Sequence, residues 1–204
     1  MRKVLLVVFL SLVVATMGLR WDHAAGSVSA PDSPQFGSDG NLVRPVGYRR
    51  WVYVSSGLGM SYSPGAKDAQ NPSFTNGFVN PASYEYFLAN GKWPDKTIFV
   101  LEEYSSTSHG SINQHGSYQA HLLGLAVEVK DRKRFPDTWA YFGFSADGQN
   151  ASAIAPGKND CWQCHEQNAA VEHSFVQFYP ELLKVARAKG TIKPTKTKET
   201  RKVK

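Results

Sequence analysis

Two cysteines are all the chain contains, and both lie in one short stretch, Asn159-Asp-Cys-Trp-Gln-Cys-His-Glu166. Cys161 and Cys164 are three residues apart and His165 follows directly. A disulfide between them would close a tiny loop and restrict the unfolded chain little. A thioredoxin-like redox pair wants a strand–helix setting, whereas the preceding Ser152-Ala-Ile-Ala-Pro-Gly-Lys-Asn-Asp160 is polar and loop-like. A structural zinc site needs four ligands; there is no second cysteine pair, and His165 with His173 makes no known zinc spacing. Covalent haem uses every feature. In Cys-X-X-Cys-His each thiol adds across one porphyrin vinyl group, the two intervening residues set the sulfur separation on one helical turn, and the adjoining imidazole reaches the iron. The motif implies one haem c per chain, with Cys161 and Cys164 as thioether anchors and His165 as proximal axial ligand. The other ring nitrogen of His165 is expected to donate to a carbonyl or carboxylate, which fixes the ring and tunes the iron.

The sixth iron position decides the chemistry: Met or His there makes an electron carrier, while an open position makes a sensor or an enzyme. Beyond the N-terminal segment the one methionine is Met60, in the loop Ser56-Gly-Leu-Gly-Met-Ser-Tyr62. His109 and His115 sit in a turn-like stretch; with His121 their even spacing hints at a metal site. His173 follows the attachment segment too closely to reach over the ring. No residue is an obvious sixth ligand, so an open, five-coordinate iron is the preferred reading and a low-spin carrier with Met60 or a histidine the alternative. Candidate pocket aromatics are Phe78, Phe99, Tyr141, Phe142 and Phe144. Glu102, Glu103 and Glu128 lie on expected strands; one turned inward would have its pKa raised by burial and could handle protons, which makes Glu102 and Glu128 weak catalytic candidates.

These residues need a scaffold, and 204 residues, 42% of them hydrophobic, suffice for one domain with a core. The formal charge of +6 resides at the ends. Residues 190–204 carry a net +5 and residues 1–30 a net +2, leaving −1 between. A near-neutral body offers no basic face for nucleic acid. Arg2-Lys3 before the apolar run Val4–Ala15 reads as an export signal, too short for a spanning helix of about twenty residues. Cleavage near Ala30, cleavage near Gly18, or retention as an uncleaved anchor all remain open. The organisation expected is a signal or anchor at 1–30, a Gly/Ser/Pro-rich linker or arm at 31–47, a haem domain at 48–190 and a basic, disordered tail at 191–204.

Within the domain, aromatic and β-branched residues mark strands near 48–57, 74–80, 97–106, 120–131 and 138–145. Alternation in the fourth puts Leu123, Leu125, Val127 and Val129 on one face. Pro81 opens a helix after Asn80 as N-cap, and Gly91 stops it. The chain from Cys161 to His173 reads as helix, and a last helix runs from Pro180 to Gly190. Links between the last three strands are turn-rich and lack helical pattern, which favours antiparallel pairing. The fold class is α+β: a mainly antiparallel sheet with one helix in the N-terminal half and C-terminal helices carrying the attachment motif.

Three stretches, Phe78–Glu103, Val127–Phe144 and Cys161–Leu183, together resemble the cytochrome P-460 family, which is related to cytochromes c′-beta. The likeness spans roughly Tyr48 to Gly190 and rests on a Pro-containing turn before "FVLE", on "KD..RFP..WA.F.F", and on a haem hook followed by "FVQFYP". The resemblance implies a periplasmic, mainly antiparallel β protein, commonly a homodimer, with Cys161 and Cys164 as attachment points and His165 as axial ligand. Oxidising members convert hydroxylamine and sometimes nitric oxide, and carry a bond from a lysine to the haem edge. The aligned position here holds Leu101, and Lys96 lies earlier, in the turn. This departure shifts the expectation toward relatives that bind small ligands beneath an aromatic cap, for which Phe78 or Phe99 would serve. The partners expected are a small gaseous or nitrogenous ligand, or peroxide, and a redox protein.

Overall fold

The computed structural model describes residues 32–62, 71–155 and 161–194. The N-terminal apolar run and all but the first residues of the basic tail lie outside these. No helix among the described residues is long and apolar enough to cross a membrane.

The scaffold is a five-stranded antiparallel sheet in sequential order, β2 (Val52–Leu58), β3 (Phe74–Val79), β4 (Ile98–Thr107), β5 (Tyr118–Lys130) and β6 (Trp139–Ser145). Helix α1 (Pro81–Asn90) is inserted between β3 and β4, which pair nonetheless. Helices α2 (Cys161–Asn168) and α3 (Pro180–Lys189) follow the sheet. The expected α+β class is what the chain adopts. The Gly/Ser/Pro-rich arm was expected to be a linker or extended arm; its β1 (Leu42–Val43) pairs with β7 (Asn150–Ala151), and Leu42 is fully buried.

A sheet with apolar residues on both faces needs a cover on each. One face presents Ile98, Val100, Leu125, Val127, Phe142 and Phe144 to Leu42 of the arm and to Tyr48 and Trp51, which follow it. The other presents Val79, Phe99 and Trp139 to Phe87 of α1, Trp93, and Leu182 and Ala186 of α3. Three local expectations differ from the structure. Tyr48 to Arg50 form a 3-10 turn ahead of β2. Leu123 is exposed, because the pairing skips from Glu103–Gly124 to Tyr104–Leu122; the extra residue is a bulge, and Leu122 packs inward in its place. Asn80 holds the cap position but makes no side-chain cap bond. Its Oδ1 accepts from Ile98 N at 3.0 Å and its Nδ2 donates to the Asp32 carbonyl at 2.8 Å, tying helix, strand and arm together.

Gly91 stops α1 as expected, at φ 68°, donating to the Phe87 carbonyl at 2.7 Å. A Cβ there would also lie 2.7 Å from Lys189 Cβ, so both backbone hand and helix contact demand glycine. Phe87 is fully buried, 4.1 Å from the Trp93 ring centre. Phe87→Ala should cost about 3–5 kcal/mol, from lost burial and the cavity left behind; a urea-unfolding midpoint unchanged from the parent would contradict this packing.

Candidate functional site

Helix α2 starts at Cys161, so Cys164 and His165 lie on its next turn. Neither cysteine is in a disulfide, and both are partly buried. Cys161 and His165 line a cavity of about 370 Å³ between the sheet and the C-terminal segment.

The floor of that cavity is a row across all five strands: Ser55, Gly77, Leu101, Ala126 and Gly143, each opposite the next. Four of the five are small, so the sheet recedes. A Cβ built on Gly143 meets nothing within 4 Å. The neighbouring row on the same face is Phe99, Glu128 and Tyr141. Phe175, Phe178 and Tyr179 close the opposite side, and Met60 and Tyr62 contribute from the β2 side. Tyr62 stacks on Phe175 with ring centres 6.3 Å apart.

His165 is held by its surroundings. Its ring packs against Tyr141 and Phe175, at 4.5 and 4.4 Å between centres. Its Nδ1 donates to the His173 carbonyl at 2.6 Å. That acceptor fixes the tautomer, with the lone pair on Nε2. Burial, opposed by the bond to His173 and assisted by the charge of Lys193, pushes the imidazole pKa down to about 4. The ring is therefore neutral near pH 7, the state in which imidazole ligates a metal.

The acceptor exists because α2 stops early. Helix was expected through His173; it ends at Asn168, and Val171 pairs with Ser174 across a tight turn that turns the His173 carbonyl back to His165. The His173 ring itself sits between Trp139 and Trp162, with Nδ1 3.2 Å from the Tyr141 hydroxyl.

The two candidate carboxylates separate. Glu128 lines the cavity, with Oε1 3.4 Å from His165 Nδ1 and Oε2 buried without a hydrogen-bond partner. Burial pushes its pKa up to about 8. Glu102 faces the other side of the sheet, where its carboxylate accepts from Tyr48 Oη at 2.7 Å, Arg49 Nε at 2.6 Å and Asn76 Nδ2 at 3.2 Å. It is a structural carboxylate, remote from the cavity; strand alternation puts it opposite Leu101. Glu103 is exposed.

The aromatic candidates divide by the same alternation. Phe99 and Tyr141 line the cavity, whereas Phe78 packs on Tyr48 and Tyr53 at 5.6 and 5.8 Å, on the far face. Phe142 and Phe144 belong to the core on that side, and Phe142 also borders the cavity. Leu101 stands in the cavity floor, and Lys96 is drawn away into an ion pair with Asp131. His109, His115 and His121 are exposed. No group of three His, Cys, Asp or Glu among the described residues could hold a metal ion. Phe175, Phe178 and Tyr179 were not singled out as pocket residues, though "FVQFYP" contains all three.

The site fits a large planar apolar group with a metal at its centre. It offers a receding floor, aromatic walls, a neutral imidazole fixed at Nδ1, and two thiols on the same helix. The unpaired Glu128 oxygen marks a place where a bound group or water would be met by a polar atom.

Glu128 gives this site a pH signature in the cofactor-free chain. Its folded-state pKa of about 8 exceeds an ordinary 4.5. Between these values the folded chain holds a proton that the unfolded chain releases, so its contribution is intact below about pH 4.5 and lost as pH rises to about 8. Glu128→Gln should therefore gain stability relative to the parent across that window. A stability difference independent of pH, by chemical unfolding at several pH values, would count against this.

Comparison with known proteins bears on the same residues. No curated protein matches the chain. The profile of one family, Cytochrome P460, matches residues 45–176, more than half of the chain and a span that includes the sheet, both cysteines, His165 and the His173 turn. The chain belongs to the cytochrome P460 family, and that membership implies a haem cofactor.

Proposed function

We propose that the chain is an exported, periplasmic haem protein carrying one haem c, with Cys161 and Cys164 as thioether anchors and His165 Nε2 as the iron's fifth ligand. The observation that carries the reading is the His165 imidazole in the wall of a cavity floored by small side chains, its Nδ1 committed to the His173 carbonyl. The bound group supplies redox and ligand-binding chemistry at iron. The protein holds the imidazole neutral and oriented, excludes water with Phe99, Leu101, Phe175 and Tyr179, and places the Glu128 carboxyl where a proton can be held at Oε2.

The sixth position is open in this reading, and the ligand is a small nitrogen species such as nitric oxide or hydroxylamine. Leu101 where oxidising relatives carry a cross-linking lysine, and Lys96 tied to Asp131, support binding without an additional haem–protein bond. The apolar floor favours small neutral ligands over hydrated anions. A transient redox protein and a second copy of the chain are the partners in this proposal.

One observation favours a second reading. Met60 belongs to the cavity wall, its Sδ against Gly57. As a sixth ligand it would make the protein a low-spin electron carrier. Spin resonance of the ferric protein separates the two. The open site gives a high-spin signal that Met60→Leu leaves unchanged; a low-spin signal abolished by Met60→Leu would reverse the assignment.

Attachment has its own tests. Acid–acetone extraction should leave the colour on the parent polypeptide, and release it after Cys161→Ala with Cys164→Ala. The floor is tested by Gly143→Leu. A strand glycine facing open space should accept leucine with little change in stability, within about 1 kcal/mol. The same variant should lose most of its haem. Normal haem content in folded Gly143→Leu protein would exclude the cavity as the haem site.

A further inference from the structure

We propose that Lys130 and Glu172 are positioning residues for His165: an ion pair between a buried ammonium and a partly buried carboxylate that fixes the carbonyl on which the imidazole depends. The inference rests on the reading of His165 as iron ligand and extends it to residues outside the cavity.

The carbonyl belongs to His173, within the turn Val171–Ser174. The two ends exchange backbone hydrogen bonds, Ser174 N to Val171 O at 2.9 Å and Val171 N to Ser174 O at 3.4 Å. Between them Glu172 has φ 51°. That left-handed backbone is costly for a side chain of this length and free of cost for glycine. Strain at such a position persists only where the surroundings over-determine it.

Here they do. Glu172 Oε2 accepts from Lys130 Nζ at 2.6 Å. The Lys130 side chain is only 3% exposed, and its ammonium also donates to the Trp93 carbonyl at 2.6 Å and lies 5.7 Å from the Trp139 ring centre. A buried ammonium without a counter-charge is strongly unfavourable, so Lys130 draws the Glu172 carboxylate inward. The far end of the turn is held separately: Trp93 Nε1 donates to Ser174 Oγ at 2.6 Å, and that hydroxyl donates to the Val171 carbonyl at 2.9 Å. His173 lies between these two attachments. Its carbonyl meets His165 Nδ1 at 2.6 Å, while Glu128 Oε1, at 3.4 Å, is the longer and weaker contact.

A short bond at Nδ1 increases the basicity of the opposite nitrogen and strengthens it as a metal donor. Loosening the turn lengthens that bond and weakens the donor. Neither Lys130 nor Glu172 lines the cavity, so their effect on iron passes through the His173 carbonyl.

The test uses haem-loaded protein, with two readouts that fold stability alone does not move: the ferrous iron–histidine stretching band and the midpoint potential. Lys130→Met and Glu172→Gly should each lower the band frequency and raise the potential. The double variant should go no further than either single, since both break one clamp. Glu172→Gln keeps an acceptor oxygen and should restore most of the parent values. If Lys130→Met does not fold, Glu172→Gly carries the test, because glycine suits the left-handed position. A band present in the parent and unmoved or raised in the loaded variants overturns the clamp alone. A five-coordinate, high-spin ferrous parent lacking any iron–histidine band overturns the assignment of His165 and the clamp with it; in a six-coordinate parent the midpoint potentials of the same variants decide, and unmoved potentials overturn the clamp.

Discussion

The hydrogen bond from His165 Nδ1 to the His173 carbonyl joins the attachment helix to the turn behind it, and the site is organised around it. A buried imidazole needs a partner for its N–H, since an unmade bond there costs about 1–3 kcal/mol. Meeting that need with a main-chain carbonyl has consequences. The acceptor cannot rotate away like a side chain, the tautomer is set, and the ring stays neutral because burial opposes its protonation. The carbonyl is available because α2 breaks at Asn168, and the break is stabilised from outside the site by Trp93, Ser174, Lys130 and Glu172.

The sheet supplies the complementary half. Its two faces are covered differently: the arm seals one, whereas the helices seal the other only at the end bearing Val79, Phe99 and Trp139. Next to that sealed end the cross-strand row Ser55–Gly77–Leu101–Ala126–Gly143 carries little side-chain volume. Close packing is the rule in protein interiors, so a cavity of about 370 Å³ against a receding floor is a place kept for something other than side chains. Family membership implies a haem cofactor, which the proposed function seats in this cavity. Leu101 is the large residue in that floor. In the proposed function it presents an aliphatic surface to the bound group at the position where the resemblance places a cross-linking lysine in oxidising relatives.

Two carboxylates of the sheet show how environment divides like residues. Glu102 is buried among donors and is a structural anchor for the 3-10 turn ahead of β2 through Tyr48 and Arg49. Glu128 is buried beside apolar rings with one oxygen unpaired and holds its proton to about pH 8. Neither role follows from residue type; both follow from which face of the sheet the residue occupies.

Local sequence determined much of this protein. The spacing of Cys161, Cys164 and His165 along one helical turn was legible, because helix geometry sets their separation wherever the helix lies. The strands, α1 and α3 were legible from alternation, from Pro at helix starts and from Gly at helix stops, which act within a few residues. The tertiary structure decided the rest. Alternation says that Leu101 and Glu102 point opposite ways, but not which way the cavity lies, so Phe78 and Glu102 fell on the far face while Phe99 and Glu128 lined the site. The bulge that exposes Leu123 depends on the partner strand. The stop at Asn168 and the positive φ of Glu172 depend on Trp93 and Lys130, dozens of residues away in the chain. Such features rest on register and on buried-charge pairing across the fold, interactions between segments that no short window of sequence contains.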